Sequence, residues 1–129
     1  MKKILIVDDD PQIVNLIKIR LTANNYAVIS SPDGQEAIVK AKQEQPDLVI
    51  MDIMMPHMPG GDAVRLLMAD DKTKDIPIIF LTALTANLPY EADHRGIINV
   101  DGRFFTAIPK PFKPEKLLAE IKKILEESK

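Results

Sequence analysis

The sequence predicts an α/β fold, a doubly wound five-stranded parallel sheet with helices on both faces. Three observations carry that expectation. Ile4–Val7, Leu48–Met51 and Ile78–Leu81 are apolar runs of β-formers, each too short for a helix. The segments between such runs recur with helical periodicity, so strands and helices alternate, which favours right-handed crossovers and a parallel sheet buried on both faces. Each of these runs also ends in a polar residue, Asp8, Asp52 or Thr82, where a ligand-binding rim would lie.

Taken in order, Ile4–Val7 forms the first strand and runs into Asp8-Asp9-Asp10. Asp10 followed by Pro11 is a helix start, an N-cap acceptor before a proline whose missing N–H is harmless in the first turn. Ile13, Leu16, Ile17 and Leu21 share one stripe of that helix, and Asn24-Asn25 ends it. Ala27–Ile29 is a short second strand, Ser31-Pro32-Asp33-Gly34 a turn, and Glu36–Gln43 a helix presenting Ala37, Ile38 and Ala41. Leu48–Asp52 is the third strand, and the loop Met55-Pro56-His57-Met58-Pro59-Gly60-Gly61 leads to a helix carrying Ala63, Leu66 and Leu67. Pro77 opens the fourth strand. Between Ala83 and Arg103, Pro89, Gly96 and Gly102 interrupt any regular pattern, so a helix there would be short. Phe104–Ile108 is the fifth strand, and Leu117, Leu118, Ile121, Ile124 and Leu125 line a final amphipathic helix.

A chain of 129 residues has room for one core and is read as one domain over 1–129. Its 17 basic and 19 acidic residues are interspersed, leaving no basic field for DNA or RNA, so direct nucleic-acid binding is not expected. Without cysteine there is neither a disulfide framework nor a thiolate metal site. The basic start Lys2-Lys3 precedes an apolar run too short for a signal peptide, and nothing approaches a membrane span. A soluble cytoplasmic protein is the expectation.

In the sheet order 2-1-3-4-5, that of flavodoxin-like folds, strands one and three are adjacent, and Asp8, Asp9 and Asp52 meet at one rim. Two unit charges ~4 Å apart at an effective dielectric near ~20 repel by on the order of 4 kcal/mol, so such a cluster calls for a proton or a cation. Oxygen donors without His or Cys suit a hard ion, Mg²⁺ best, with its other positions left to water and phosphoryl oxygens. Thr82 and Lys110 end strands four and five on the same rim. A hydroxyl and an ammonium beside a metal can meet the oxygens of a tetrahedral dianion.

These residues, as Val7-Asp8-Asp9, Met51-Asp52-Ile53-Met54-Met55-Pro56 with Gly60, Leu81-Thr82-Ala83 and Lys110-Pro111-Phe112, resemble the receiver domain of two-component response regulators. The resemblance spans essentially the whole chain and suggests a stand-alone receiver of the CheY and Spo0F type, with no output domain attached. It implies that Asp52 is the phosphoacceptor, supplied by a sensor histidine kinase or phosphotransfer protein, and that a surface for an unknown downstream protein switches on phosphorylation. It further implies that Asp8, Asp9, Asp52 and the Met54 backbone carbonyl bind Mg²⁺, that Thr82 and Lys110 stabilise the phosphoryl group, and that the Lys110-Pro111 bond is cis. Two features depart from the pattern. The segment from Thr82 to Lys110 is several residues too long, with the excess in Ile97–Arg103, and the switch aromatic three residues before the lysine is replaced by Ala107. Phe105, on the same strand face by the period of two, is the candidate substitute.

Asp10 reads as a helix cap, Met54, Met55 and Met58 as loop packing apart from the Met54 carbonyl, and His57 and His94 as exposed loop residues that bind no metal. The competing function is a pseudo-receiver, a protein-interaction module that works without phosphorylation. An enzyme acting on a separate substrate is disfavoured: methionine stands two residues after Asp52, where aspartate-nucleophile phosphatases need a general acid. Acids also replace the glycine fingerprint of dinucleotide enzymes after strand one. Any catalysis would be Mg²⁺-dependent self-phosphorylation and self-dephosphorylation.

Overall fold

The computed structural model describes residues 1–55, 58–83, 91–93 and 97–127, with the backbone alone described at 83, 91–93 and 127. Five parallel strands form the body of the sheet: β1 (Lys3–Val7), β2 (Ala27–Ser31), β3 (Leu48–Asp52), β4 (Ile78–Ala83) and β7 (Arg103–Lys110), in the order β2-β1-β3-β4-β7. This is the expected doubly wound order. Beyond β7 the sheet continues into two further strands, β6 (Ile97–Val100) and β5 (Glu91–Asp93), both antiparallel to their neighbours.

Side-chain alternation along the strands builds two cores. Leu5, Val7, Val49, Met51 and Phe80 face helices α2 (Gly34–Glu44) and α3 (Gly60–Met68). Ile4, Ile6, Ile50, Ile79 and Leu81 face α1 (Pro11–Ala23) and α4 (Pro114–Glu127). All ten are fully buried, so the central strands are rigid supports for whatever their ends carry. Helix starts follow their local chemistry. The Asp10 carboxylate accepts the Gln12 N–H at 2.9 Å ahead of Pro11, and Asp33 accepts the Glu36 N–H at 2.8 Å. Asp10 is therefore a cap, and Ser31 and Gly34 belong to strand and helix, not to a four-residue turn.

The expected five-stranded sheet needs one correction, in the long segment before β7. Ile97-Ile98-Asn99-Val100 is a β-branched run, and Asp101-Gly102 joins it to β7 as a two-residue turn with Val100 opposite Arg103. Both turn residues have positive φ, +52° at Asp101 and +88° at Gly102, the geometry that matches strand twist in a tight hairpin. Ile98, Val100 and Phe105 close over the α3 side, and Arg65 of α3 holds the turn through Asp101 at 2.9 Å. The excess residues thus extend the sheet, in a stretch where the sequence showed no regular pattern. No described helix is long and apolar enough to cross a membrane.

Candidate functional site

The site lies where β1, β3, β4 and β7 end side by side. Register places Val7 beside Met51, Asp52 beside Leu81, and Thr82 beside Pro109, so the next residues of each strand share one rim. Asp8, Asp9 and Asp52 converge there, with one carboxylate oxygen from each lying within 4.8 Å of the others. Asp8 and Asp52 are buried, at 2% and 5% exposure, whereas Asp9 is exposed.

Each group is fixed by its backbone setting. Asp8 continues the β1 ladder by donating its N–H to the Ser31 carbonyl, and its Oδ1 accepts the Asp10 N–H at 2.9 Å. Asp52 ends β3, and the following N–H groups hold it from two sides: Ile53 donates to the Leu81 carbonyl at 3.0 Å, while Met54 donates to Asp52 Oδ1 at 3.4 Å. Lys110 ends β7 and reaches across the rim. Its Nζ donates to Asp8 Oδ2 at 3.0 Å and lies 3.6 Å from Asp52 Oδ1. The Lys110–Pro111 peptide bond is cis.

Electrostatics follow from this packing. Burial, then the Asp8 carboxylate, push the Asp52 pKa up from 3.8 to about 6, partly offset by Lys110 and the Met54 N–H. Burial would lower the Lys110 pKa, but its hydrogen bond to Asp8 and the charges of Asp52 and Asp8 outweigh it and hold it above 10.5. One ammonium therefore serves two of the three carboxylates, Asp8 and Asp52. The site keeps an excess of negative charge at neutral pH, with hard oxygen donors gathered around it, a donor set that fits Mg²⁺.

Thr82 is nearly buried at the end of β4, on the same rim. Phe105 and Ala107 lie buried in the core beneath α2 and α3, not at the rim surface. Phe105 meets Phe80 edge to face at 5.6 Å, with the Arg103 guanidinium 5.3 Å over its ring. Met55 and Met58 pack into that same core, and the Met54 side chain is half exposed. His57 and His94 lie outside the described residues. Gly60, quoted from the sequence only as part of the motif, returns to the end of β3, where its N–H donates to the Ile53 carbonyl at 2.8 Å. The signal was present in the tight β3–α3 return, since a glycine opening a buried helix points to close backbone approach.

The family profile of the response regulator receiver domain matches residues 4–122. The chain belongs to this family. Among curated relatives, the receiver is similar to the DNA-binding dual master transcriptional regulator RpaA of Synechocystis, 36% identical over 97% of this chain and 49% of RpaA. It spans about half the length of the curated relatives it matches. Relatives described as DNA-binding lend no support to the expectation that nucleic acid is not a partner. Among solved structures the receiver is similar to the chemotaxis response regulator CheY4 of Vibrio cholerae, with 31% identity, TM-score 0.81 and coverage of 96% and 98% of the two chains. It is also similar to the receiver domain of the sensor histidine kinase PA1611 of Pseudomonas aeruginosa, with 28% identity, TM-score 0.76 and coverage of 98% and 95%. That structure is described with a magnesium ion in its active site cleft.

Proposed function

We propose that this receiver is the phosphoacceptor module of a two-component phosphorelay, with Asp52 as the acceptor, Thr82 and Lys110 as phosphoryl partners, and a protein-binding surface as its output. The observation that carries the reading is the reach of Lys110 to both Asp8 and Asp52, beside the third carboxylate of Asp9. The donor would be a phosphohistidine on a sensor kinase or phosphotransfer protein. An ionised Asp52 oxygen forms the new P–O bond as the donor's P–N bond breaks, and the departing imidazole takes its proton from solvent. With a pKa of about 6, Asp52 is mostly ionised at neutral pH and ready to attack.

Asp8, Asp9, Asp52 and the Met54 carbonyl would hold Mg²⁺, which when bound supplies charge neutralisation at the phosphoryl oxygens. Lys110 and Thr82 contribute an ammonium and a hydroxyl to the same oxygens. The phosphoryl group adds about −2 charge beside Lys110 at the end of β7. Because Ala107 lacks a ring and Phe105 is enclosed by Phe80 and Arg103, the readout works through β7 and its loops without an aromatic swing. The protein is a signalling module whose chemistry acts on its own aspartate.

The test is incubation with acetyl phosphate and Mg²⁺ followed by intact mass measurement. One added phosphoryl group, absent from Asp52→Asn and from samples with chelator, is the expected result. No gain in the native protein refutes the reading and leaves the phosphorylation-independent interaction module.

A further inference from the structure

We infer that Gly60 is a positioning residue for the Asp52 site, closing the β3–α3 loop by a backbone contact that no side chain can share. The inference rests on the function proposed above. The chain leaves β3 at Asp52 and returns to the same place at Gly60, whose N–H donates to the Ile53 carbonyl at 2.8 Å. A Cβ built on Gly60 would stand 2.3 Å from the Asp52 carbonyl oxygen, 3.0 Å from Ile53 Cα and 3.1 Å from the Asp52 carbonyl carbon. All three obstacles are backbone atoms, so no rotamer change relieves them. They also belong to the acceptor residue and its neighbour.

The opposite side of this backbone is fixed as well, because Ile53 donates to the Leu81 carbonyl, one residue before Thr82. The Asp52–Ile53 peptide is therefore held between β4 and the first residue of α3. Met54 follows immediately, with its N–H on Asp52 Oδ1. Any residue larger than glycine at 60 must move α3 away or push this peptide, and the second displaces both the Asp52 carboxylate and the Met54 carbonyl. Pro59, the residue before α3, offers no side-chain cap that could anchor the helix start instead. A contrasting contact exists at Gly34, where an added Cβ would meet the Met58 Sδ at 3.1 Å and Ala63 Cβ at 3.2 Å. Those obstacles are side chains, one of them flexible, so the loop can yield there without disturbing Asp52.

The experiment compares the native protein with Gly60→Ala, Gly34→Ala and Pro59→Gly. For each we would measure Mg²⁺ affinity by calorimetry, the rate of phosphorylation by acetyl phosphate at saturating Mg²⁺, and folding by circular dichroism and urea titration. A shift approaching 1 Å at a reacting group is worth up to roughly 100-fold in rate. Gly60→Ala is expected to lose about 10- to 100-fold in rate at saturating ion while remaining folded, with weaker Mg²⁺ binding, and Gly34→Ala to stay within about threefold of native. A folded Gly60→Ala that binds Mg²⁺ and is phosphorylated like the native protein overturns the inference. Should Gly60→Ala fail to fold, Pro59→Gly decides: it keeps the close contact possible but loosens the return, so a native rate and affinity there overturn the inference, and a several-fold loss of both supports it. A native protein that is itself inert to acetyl phosphate refutes the functional reading, and the assignment of Gly60 falls with it.

Discussion

Asp52→Asn removes a charge that the folded state holds at a cost. Burial first, and the Asp8 carboxylate second, raise the pKa of Asp52 from 3.8 to about 6, while unfolding returns the group to water. Because the folded value is the higher one, the folded protein binds this proton more tightly. The resulting stability is complete below 3.8, is lost as pH rises through about 6, and is absent at pH 8. At about 1.36 kcal/mol for each pKa unit, the gap corresponds to about 3 kcal/mol missing from the metal-free protein at pH 8. Asparagine is close to isosteric, neutral at every pH and still able to accept the Met54 N–H. Metal-free Asp52→Asn is therefore expected to exceed the native protein by up to about 3 kcal/mol at pH 8, or about 10 °C in Tm for a chain of this size. The advantage should shrink towards zero below pH 4. Urea titrations of both proteins with chelator at pH 8, 6 and 4 measure it. An advantage that is absent at pH 8, or equally large at pH 4, refutes the argument that desolvation and Asp8 set the energy of Asp52.

Millimolar Mg²⁺ should raise the native Tm, by about 2.7 kcal/mol of stability when the free ion reaches 100 times Kd, and should do far less for Asp52→Asn. Parallel melting curves with and without the ion check this. Lys110→Ala leaves the buried Asp8 without its cation. Since the lysine side chain is 23% exposed, the loss should fall below that of a fully buried pair, at about 2 kcal/mol. Urea titration should find that loss reduced when Mg²⁺ is present. Gly102→Ala meets no atom within 4 Å but must keep φ near +88°, so its loss should be purely conformational, about 1 kcal/mol. Hydrogen exchange should then quicken in 97–106 while Mg²⁺ affinity stays native. Beryllofluoride with Mg²⁺ should shift amide resonances around Asp52, Thr82 and Lys110 but leave the contacts of the Phe105 ring with Phe80 intact in nuclear Overhauser spectra.

The site was legible because its members sit at strand ends, and strand ends were the easiest features to find. Val7-Asp8, Met51-Asp52 and Leu81-Thr82 each switch from apolar to polar in a single step. In a parallel sheet of known order, such steps on neighbouring strands must fall on one rim. Strand–helix alternation pointed to a doubly wound sheet, and the count of five strands selected 2-1-3-4-5 from its two common orders. Charge sharing was not legible, because Lys110 lies 102 positions from Asp8, and only the folded register brings its Nζ to both Asp8 and Asp52. Gly60 was hidden for a related reason. A glycine in sequence does not say which backbone it lies against, and the answer here is the acceptor residue's own carbonyl.

The hairpin shows how a local signal can go unread in an irregular stretch. Asp101-Gly102 between Val100 and Arg103 is a strong two-residue hairpin signature, with β-branched residues on one side and Phe104-Phe105 on the other. Pro89, Gly96 and Gly102 left the stretch from Ala83 to Arg103 without a regular pattern in the sequence, and the turn chemistry decides it from Ile97 onward. Its consequence reaches the site through β7. An edge strand would pair on one side only, but β7 pairs with β4 through Ile79–Ala83 and with β6 through Ile97–Val100, meeting both at Thr106. Eight residues separate the clamped turn from the site, a span of about 26 Å along one strand. Lys110 sits at one end, while Arg65 grips the Asp101 turn at the other. A change of charge at Lys110 therefore acts on a strand that β4 holds from Thr106 to Lys110 and β6 from Arg103 to Thr106, with Thr106 held from both sides.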